Sequence, residues 1–173
     1  MSASDAAQLR AGVAKVEISQ TGERPVNDPL YARALVLGDG ATTAVLVSVD
    51  VVTIAELGIV QDDFLPNVRS QLATELNLEP ANLLISATHC HGEVSADIEQ
   101  RTVQAVKEAW GKMVPVSVGT GRGHEDRIME NRRVKLRNGR EADVRQNYCL
   151  PPDDEAVGVG PVDPEIGILR LDR

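Results

Sequence analysis

Leu83-Leu84-Ile85-Ser86-Ala87-Thr88-His89-Cys90-His91-Gly92-Glu93 is the stretch that decides both the fold and the candidate site of this chain. It begins as a mainly apolar run with the length of a buried strand. It ends with two imidazoles, a thiol and a carboxylate, although the whole chain has only 3 histidines and 2 cysteines. The stretch therefore predicts a strand that leads directly into a metal or catalytic site.

The segment before this stretch supplies the partners that a buried strand needs. The nearly continuous apolar run at residues 44–49 predicts a central strand that is covered on both faces. Phe64, Val68 and Leu72 then recur at helical spacing and predict an amphipathic helix over roughly residues 61–77. A strand, a helix and a strand in that order form a βαβ unit with parallel strands. We therefore predict an α/β fold, a layered mixed β-sheet with a βαβ unit and helices packed on it.

Parallel strands bring the polar residues that follow them to one edge of the sheet. Asp50 ends the first strand of the unit, and His89, Cys90 and His91 follow the second. Ligand sites in α/β sheets favour this carboxyl edge. The fold prediction thus supports the site prediction.

The remainder of the chain reads as one domain. Residues 1–10 are predicted to be a flexible arm, and residues 11–173 a single α/β domain. The glycine-rich segment at 119–123 is predicted to be flexible, and Asn138-Gly139 indicates a β-hairpin.

Composition excludes several classes of function. A formal net charge of −8 argues against nucleic acid or an anionic membrane as partner, because both need a basic surface. No apolar run reaches the roughly 18 residues of a membrane-spanning helix. The first residues do not follow a signal-peptide pattern, so we expect a cytoplasmic protein.

His89 and His91 are the main metal-ligand candidates. Their spacing lets both imidazoles converge on one ion, and neutral imidazole suits Zn²⁺. The alternative is that one histidine caps the strand and the other is solvated. Cys90 fits a small buried apolar residue better than a nucleophile. Glu93 fits a ligand or general base and equally a solvated loop carboxylate.

Four further residues have a functional and an ordinary interpretation. Asp50 either orients a ligand histidine through its free ring nitrogen or caps the next turn. His124 stands in a polar stretch that is typical of a loop. Arg132 either stabilises a developing oxyanion or pairs with a surface acid. Cys149 is isolated and is predicted to be structural.

Six segments in collinear order resemble one known family. They are Gly12-Val13-Ala14-Lys15-Val16-Glu17-Ile18, Asp28-Pro29-Leu30-Tyr31-Ala32-Arg33-Ala34, Val47-Ser48-Val49-Asp50, Leu84-Ile85-Ser86-Ala87-Thr88-His89-Cys90-His91, Asn131-Arg132-Arg133 and Gly160-Pro161-Val162-Asp163-Pro164-Glu165. Together they resemble the N-terminal region of the neutral/alkaline ceramidase family across roughly residues 11–172.

The resemblance implies a zinc-dependent hydrolase of an amide bond, in which zinc activates water for attack on a carbonyl. By that resemblance His89 is a zinc ligand and His91 its active-site neighbour. Arg132 matches the functional arginine of the family. The expected substrate is a small-molecule amide; the family's own substrates are lipid amides.

The sequence departs from the family pattern in two places. Gly92-Glu93-Val94 stands where the family has Ser-Gly-Pro, and no residues correspond to the family's later zinc-ligand histidine, glutamate and tyrosine. Three interpretations follow. In the first, a second polypeptide carries the missing ligands. In the second, the chain is a shortened homologue that rebuilds the site from Cys90, Glu93 or His124, across an interface with an identical subunit. In the third, the chain is a non-catalytic binding or structural protein.

Overall fold

The computed structural model describes residues 8–22, 26–144 and 150–173. Most of the predicted arm at residues 1–10, as well as Cys149, lies outside the described residues. The chain divides into two compact units, one reaching to Ser117 and including Leu171–Arg173, the other spanning Val118–Arg170. The prediction of a single domain stays a prediction, and each unit is described by itself.

The first unit is built on a five-stranded mixed sheet. Its strands are β1 (Arg10–Glu17), β2 (Tyr31–Gly38), β3 (Thr43–Val49), β4 (Leu83–Ala87) and β5 (Val114–Pro115). Their order across the sheet is β4-β3-β2-β1-β5. The pairs β1–β2, β2–β3 and β1–β5 are antiparallel, whereas β3 and β4 are parallel. The predicted parallel strand pair is confirmed.

Two helices cover one face of this sheet. Helix α1 (Phe64–Leu76) connects β3 to β4, and α2 (Ile98–Gly111) packs on β1 and β2. α1 ends because Asn77 adopts a left-handed conformation, with φ of 52°. The side chains that the helices bury join alternate sheet residues in one aliphatic core with a single aromatic residue. Its members include Phe64, Val68, Leu72, Val106, Ala34, Val36, Val45, Val47, Val49 and Ile85.

This arrangement confirms the predicted α/β class and corrects one detail. Val45, Val47 and Val49 of β3 are buried under the helices, but Leu46 on the opposite face is 38% exposed. The prediction that β3 is covered on both faces is therefore wrong for the described chain. The helices supply one layer only, although the sequence of β3 is apolar enough for two.

The second unit contains only strands among its described residues. They are β6 (Ser117–His124), β7 (Arg133–Leu136), β8 (Glu141–Asp143), β9 (Ala156–Val159) and β10 (Glu165–Asp172). β6 pairs with β10, and β7 lies between β8 and β9. The predicted hairpin is confirmed, with Gly139 at φ of 81°. The glycine-rich segment at 119–123 is not a flexible loop but lies within β6, because strand pairing uses backbone groups that glycine retains.

Neither helix of the described ranges is long and apolar enough to cross a membrane.

Candidate metal centre

The loop that follows β4 is fixed at both of its ends. Thr88 N–H donates to the carbonyl oxygen of Val49 at 3.0 Å, which extends the parallel pairing past β4. At the far end, Gln20 N–H donates to the Glu93 carbonyl at 3.0 Å, and Ser95 N–H donates to that of Ile18 at 2.8 Å. Residues 88–95 are therefore held at the carboxyl edge of the β3–β4 pair, as the βαβ prediction requires.

His89 is held in one tautomer by the backbone. Its Nδ1 lies 3.0 Å from the carbonyl oxygen of Val52. A carbonyl only accepts hydrogen bonds, so Nδ1 carries the hydrogen and Nε2 keeps its lone pair. Metal-ligating histidines use this arrangement, with the second ring nitrogen donating to a carbonyl or carboxylate. His89 is therefore prepared to bind a cation through Nε2.

The backbone of His89 is strained. Its φ is 65°, in the left-handed region. For a residue with a Cβ this conformation costs about 1–2 kcal/mol. Strain of this kind concentrates at functional sites, where the surrounding structure holds it in place. The hydrogen bonds at both ends of the loop supply that constraint here.

His91 lies beside His89 and completes an imidazole pair. The two ring centres are 5.0 Å apart and the ring planes are inclined by 84°. Two imidazoles bound to one tetrahedral Zn²⁺ have ring centres roughly 5 Å apart, given Zn–N distances of about 2.1 Å. The distance between the ring centres therefore agrees with that of two zinc ligands. In the part of the chain that the structure describes, no group of three His, Cys, Asp or Glu side chains lies close enough to hold a metal.

The other ligand candidates do not join the imidazole pair into such a group. Cys90, which lies between the two histidines in the sequence, is half-buried, and the Glu93 side chain is exposed. His124 belongs to the second unit, where it ends β6 rather than lying in a loop, and its Nε2 is 3.4 Å from Asp126. The two histidines thus form a partial ligand set.

Asp50 holds three strands together instead of orienting a histidine. Its Oδ2 accepts hydrogen bonds from Tyr31 N–H at 2.9 Å and from Arg33 Nη1 at 2.7 Å. Its Oδ1 accepts from the Thr88 hydroxyl at 3.2 Å. The expected contact from Asp50 to a ligand histidine is made by Val52 instead. A catalytic role for Asp50 stays a prediction; its observed contacts fix the start of the loop.

The environment of Asp50 favours its charged form. Partial burial acts to raise the pKa of the carboxyl. The hydrogen bonds from Tyr31, Arg33 and Thr88, together with the charge of Arg33, outweigh burial and hold the pKa below the ordinary value of 3.8. Asp50 is therefore ionised at neutral pH and stabilises the fold in that form.

We expect Asp50→Asn to lower the free energy of unfolding at pH 7 by about 1–2 kcal/mol, because a partly buried charge pair is lost. Since the folded pKa is depressed, the stabilisation by Asp50 is present above pH 3.8 and is lost as the pH falls through the folded value. Urea unfolding of both proteins between about pH 7 and pH 3 measures the difference. The difference in the free energy of unfolding between the two proteins should become smaller towards about pH 3. A difference that does not change with pH would contradict the stabilising role of the ionised Asp50 carboxylate.

The second unit joins two of the sequence motifs through Asn131. Its Nδ2 donates to the Pro161 carbonyl at 2.7 Å, and its Oδ1 accepts from Arg133 N–H at 2.9 Å. The neighbouring Arg132 guanidinium is exposed and makes no hydrogen bond to any described residue. Asn131 fixes the backbone next to Arg132, and the predicted anion-binding role of Arg132 stays a prediction.

Sequence reasoning missed Arg33, Val52 and Asn131 as positioning residues. Only Arg33 carried a signal, because a charged residue interrupts the apolar pattern of β2 directly before Ala34. Val52 acts through its carbonyl, and the side chain at that position carries no information about it. Asn131 stood in a recognised motif, but its partner Pro161 lies 30 residues away.

These features define an α/β layered protein with a pair of imidazoles at the carboxyl edge of its sheet, of which His89 has a strained backbone. Comparison with solved structures shows a ceramidase-like fold. A structure described as ceramidase complexed with C2 matches with a TM-score of 0.56 at 18% identity, over 72% of this chain and 24% of that chain. The neutral ceramidase from Pseudomonas aeruginosa matches with a TM-score of 0.58 at 17% identity, over 74% and 25%.

The chain thus corresponds to about a quarter of the length of those ceramidases. No family model matches the sequence, and no curated protein matches it. At these identities the likeness concerns the fold.

Proposed function

We propose that this chain is the histidine-bearing part of a zinc-dependent hydrolase that cleaves an amide bond in a small molecule. The observation that supports this most directly is the His89–His91 pair, in which Val52 leaves Nε2 of His89 free for a metal. The pair lies on a ceramidase-like fold. The remaining metal ligands come from groups that do not lie beside this pair among the described residues, such as those of a second polypeptide or of an identical subunit.

Each residue has a distinct part in this proposal. Zn²⁺, when bound, supplies a Lewis acid that activates water and polarises the amide carbonyl. His89 holds the ion through Nε2, and the Val52 carbonyl fixes the orientation of the ring. His91 is the second ligand or the neighbouring proton-transfer group, since its ring makes no hydrogen bond to a described residue. An oxyanion-binding role for Arg132, which belongs to the second unit, rests on the family resemblance alone and stays a prediction.

A second candidate function is metal binding without catalysis. It is favoured by the observation that the described residues supply two imidazoles but no third ligand. Catalytic zinc sites use three protein ligands and an open position. A chain that only retained the fold would bind zinc weakly through the same pair and would not hydrolyse amides in any assembly.

Calorimetric titration of the metal-free chain with Zn²⁺ tests the proposal. We expect one zinc per chain, bound more weakly than in a complete site because only two of the protein ligands are present. His124→Ala is the matched control, because it removes the third histidine from the second unit and should leave binding unchanged. Co²⁺ substitution gives an absorption spectrum that reports coordination by nitrogen.

Zinc binding that survives both His89→Ala and His91→Ala would overturn the metal site. An amide-hydrolysis assay then separates the two candidate functions. N-acyl amides of increasing chain length are incubated with the zinc-loaded chain and with zinc-free chain. Zinc-dependent cleavage that is lost in His91→Ala supports the hydrolase. Zinc binding without cleavage, both by the chain alone and by the chain together with any polypeptide that co-purifies with it from its native host, favours the second candidate.

A further inference from the structure

A small cleft of about 260 Å³ lies in the first unit, at the carboxyl edge of β3 and β4. One wall is formed by residues 51–53 and 57–60, in the loop between β3 and α1. The other wall is formed by Gly92-Glu93-Val94, in the loop that follows β4, and by Gln20. Ligand sites in α/β sheets favour this edge. We refer to this space as the edge cleft.

The edge cleft is continuous with the candidate metal centre through two of its lining residues. Val52 lines the cleft, and its carbonyl oxygen accepts the hydrogen bond from Nδ1 of His89. Gly92 lines the opposite wall and follows His91 directly in the chain. Neither imidazole is part of the lining. A group that binds in the cleft is therefore placed next to the imidazole pair and does not compete with a metal for it.

The wall between β3 and α1 has a shape that is fixed by backbone hydrogen bonds. Leu57 N–H donates to the Val60 carbonyl at 3.1 Å, and Val60 N–H donates to the Leu57 carbonyl at 3.2 Å. The chain turns between them at Gly58, whose φ of 64° costs glycine no strain. The cleft is therefore formed before a ligand binds, as small-molecule sites usually are.

The lining combines apolar walls with one unpaired anion. Valine, leucine and isoleucine side chains dominate the lining, and Glu93 is the one charged residue among its described members. The Glu93 carboxylate is exposed and forms no hydrogen bond or ion pair with any described residue. Gln20, whose backbone N–H binds the Glu93 carbonyl, has a side-chain amide that likewise has no partner among the described residues. Polar groups that could receive a ligand are thus available beside an apolar space.

This lining selects the chemistry of its ligand by charge and by size. Glu93 repels an anionic group. A neutral chain fills the apolar walls but takes water from the carboxylate without replacing the hydrogen bonds of that water, which costs free energy. An ammonium group brings the opposite charge and three hydrogen-bond donors. Since a water-sized group occupies about 30 Å³, the cleft holds roughly eight non-hydrogen atoms, and the chain that carries the ammonium group must be short.

We propose that the edge cleft binds a short aliphatic ammonium group of the amide substrate, with a chain of about four to six carbon atoms. The apolar walls hold the chain, and the Glu93 carboxylate receives the ammonium group. Glu93 is thus a specificity-determining residue. That the ammonium group belongs to an amide substrate rests on the proposed function, whereas its binding in the cleft requires no zinc.

Titration of the metal-free chain with n-butylammonium, n-butanol and butanoate tests the cleft without zinc. These probes share a chain and differ in charge. In nitrogen–proton NMR spectra the backbone amide signals of Gly58 and Gly92 should shift, and those of Gly111 and Gly139, which do not line the cleft, should not. At low salt n-butylammonium should bind roughly threefold more tightly than n-butanol, the size of effect expected for an exposed ion pair. Butanoate should bind more weakly than either.

Glu93 variants test the source of this preference. Glu93→Gln should bind n-butylammonium and n-butanol equally, and Glu93→Lys should prefer butanoate. Glu56→Gln is the matched control, because Glu56 is exposed on the loop between β3 and α1 but does not line the cleft, and it should keep the preference. The same spectra verify that each variant is folded. Equal binding of the two probes by the wild type, a preference that survives Glu93→Gln, or signals that shift elsewhere than at Gly58 and Gly92 would each overturn the proposal.

Hydrolysis kinetics separate this proposal from the proposed function. They use the zinc-loaded chain together with any polypeptide that co-purifies with it. For an amide that carries a butylammonium group, Glu93→Gln should raise KM about threefold and leave kcat unchanged, while KM for the matching butyl amide stays the same. Hydrolysis without this difference would overturn the ammonium site and leave the hydrolase. Selective binding of n-butylammonium without any hydrolysis would overturn the hydrolase and leave the ammonium site.

Discussion

Replacing His89 with alanine is expected to weaken zinc binding at least about 100-fold, because loss of a supporting contact alone costs 10–100-fold in metal affinity and this change removes a ligand. His89 is also the better oriented of the two imidazoles, since Val52 fixes its tautomer. His91→Ala should therefore weaken binding by a smaller factor. Calorimetric titration of the three proteins with Zn²⁺ measures the order of effects.

The strain at His89 gives the same position a second, independent readout. With φ at 65°, alanine keeps the strain and glycine relieves it. We expect His89→Gly to unfold with a free energy about 1 kcal/mol greater than that of His89→Ala, although both variants lose zinc binding. The comparison between the two variants cancels the loss of the ring and of its hydrogen bond to Val52.

His91 provides the matched control for this comparison. It is absent from the positive-φ residues of the described chain, so glycine relieves no strain there. His91→Gly should then be about 0.5–1 kcal/mol less stable than His91→Ala. Urea unfolding of all four variants gives the two differences. If the difference in unfolding free energy between the glycine and the alanine variant had the same sign at both positions, the backbone strain at His89 would be contradicted.

The local parts of the fold were predictable because each is encoded by its own periodicity. The buried run at residues 83–87 and the helical spacing of Phe64, Val68 and Leu72 predicted β4 and α1 within a few residues. The order of these elements then implied the parallel pair and the edge at which His89 lies. No long-range information was required for that step, since βαβ connectivity fixes it.

The contacts that position the site were not predictable, because they depend on groups the sequence does not display. The tautomer of His89 depends on a backbone carbonyl, and the three partners of Asp50 come from β2 and from the residue after β4. The glycines of β6 pair as a strand although their composition indicates flexibility. The exposed side of β3 differs from the prediction for another reason: an apolar run alone does not tell whether one face or both faces of a strand are covered, and here Leu46 is 38% exposed.

Gly12→Ala should be among the most destabilising single changes in the first unit, lowering the free energy of unfolding by roughly 3 kcal/mol. A Cβ at Gly12 would lie 2.0 Å from the carbonyl oxygen of Ala109 and 2.9 Å from the backbone nitrogen of Met113. Both obstacles are backbone atoms at the end of α2, so no side-chain rotation relieves the overlap. β1 cannot retreat either, because it pairs with β2 on one side and β5 on the other.

Gly111→Ala is the matched control for this change. Gly111 is the last residue of α2, and a Cβ there meets no atom within 4 Å. Alanine should therefore be neutral or stabilise the helix by up to about 1 kcal/mol. Thermal unfolding should place Gly12→Ala roughly 6–12 °C below the wild type. A Gly12→Ala protein within about 0.5 kcal/mol of the wild type would mean that α2 does not rest on β1 at this distance.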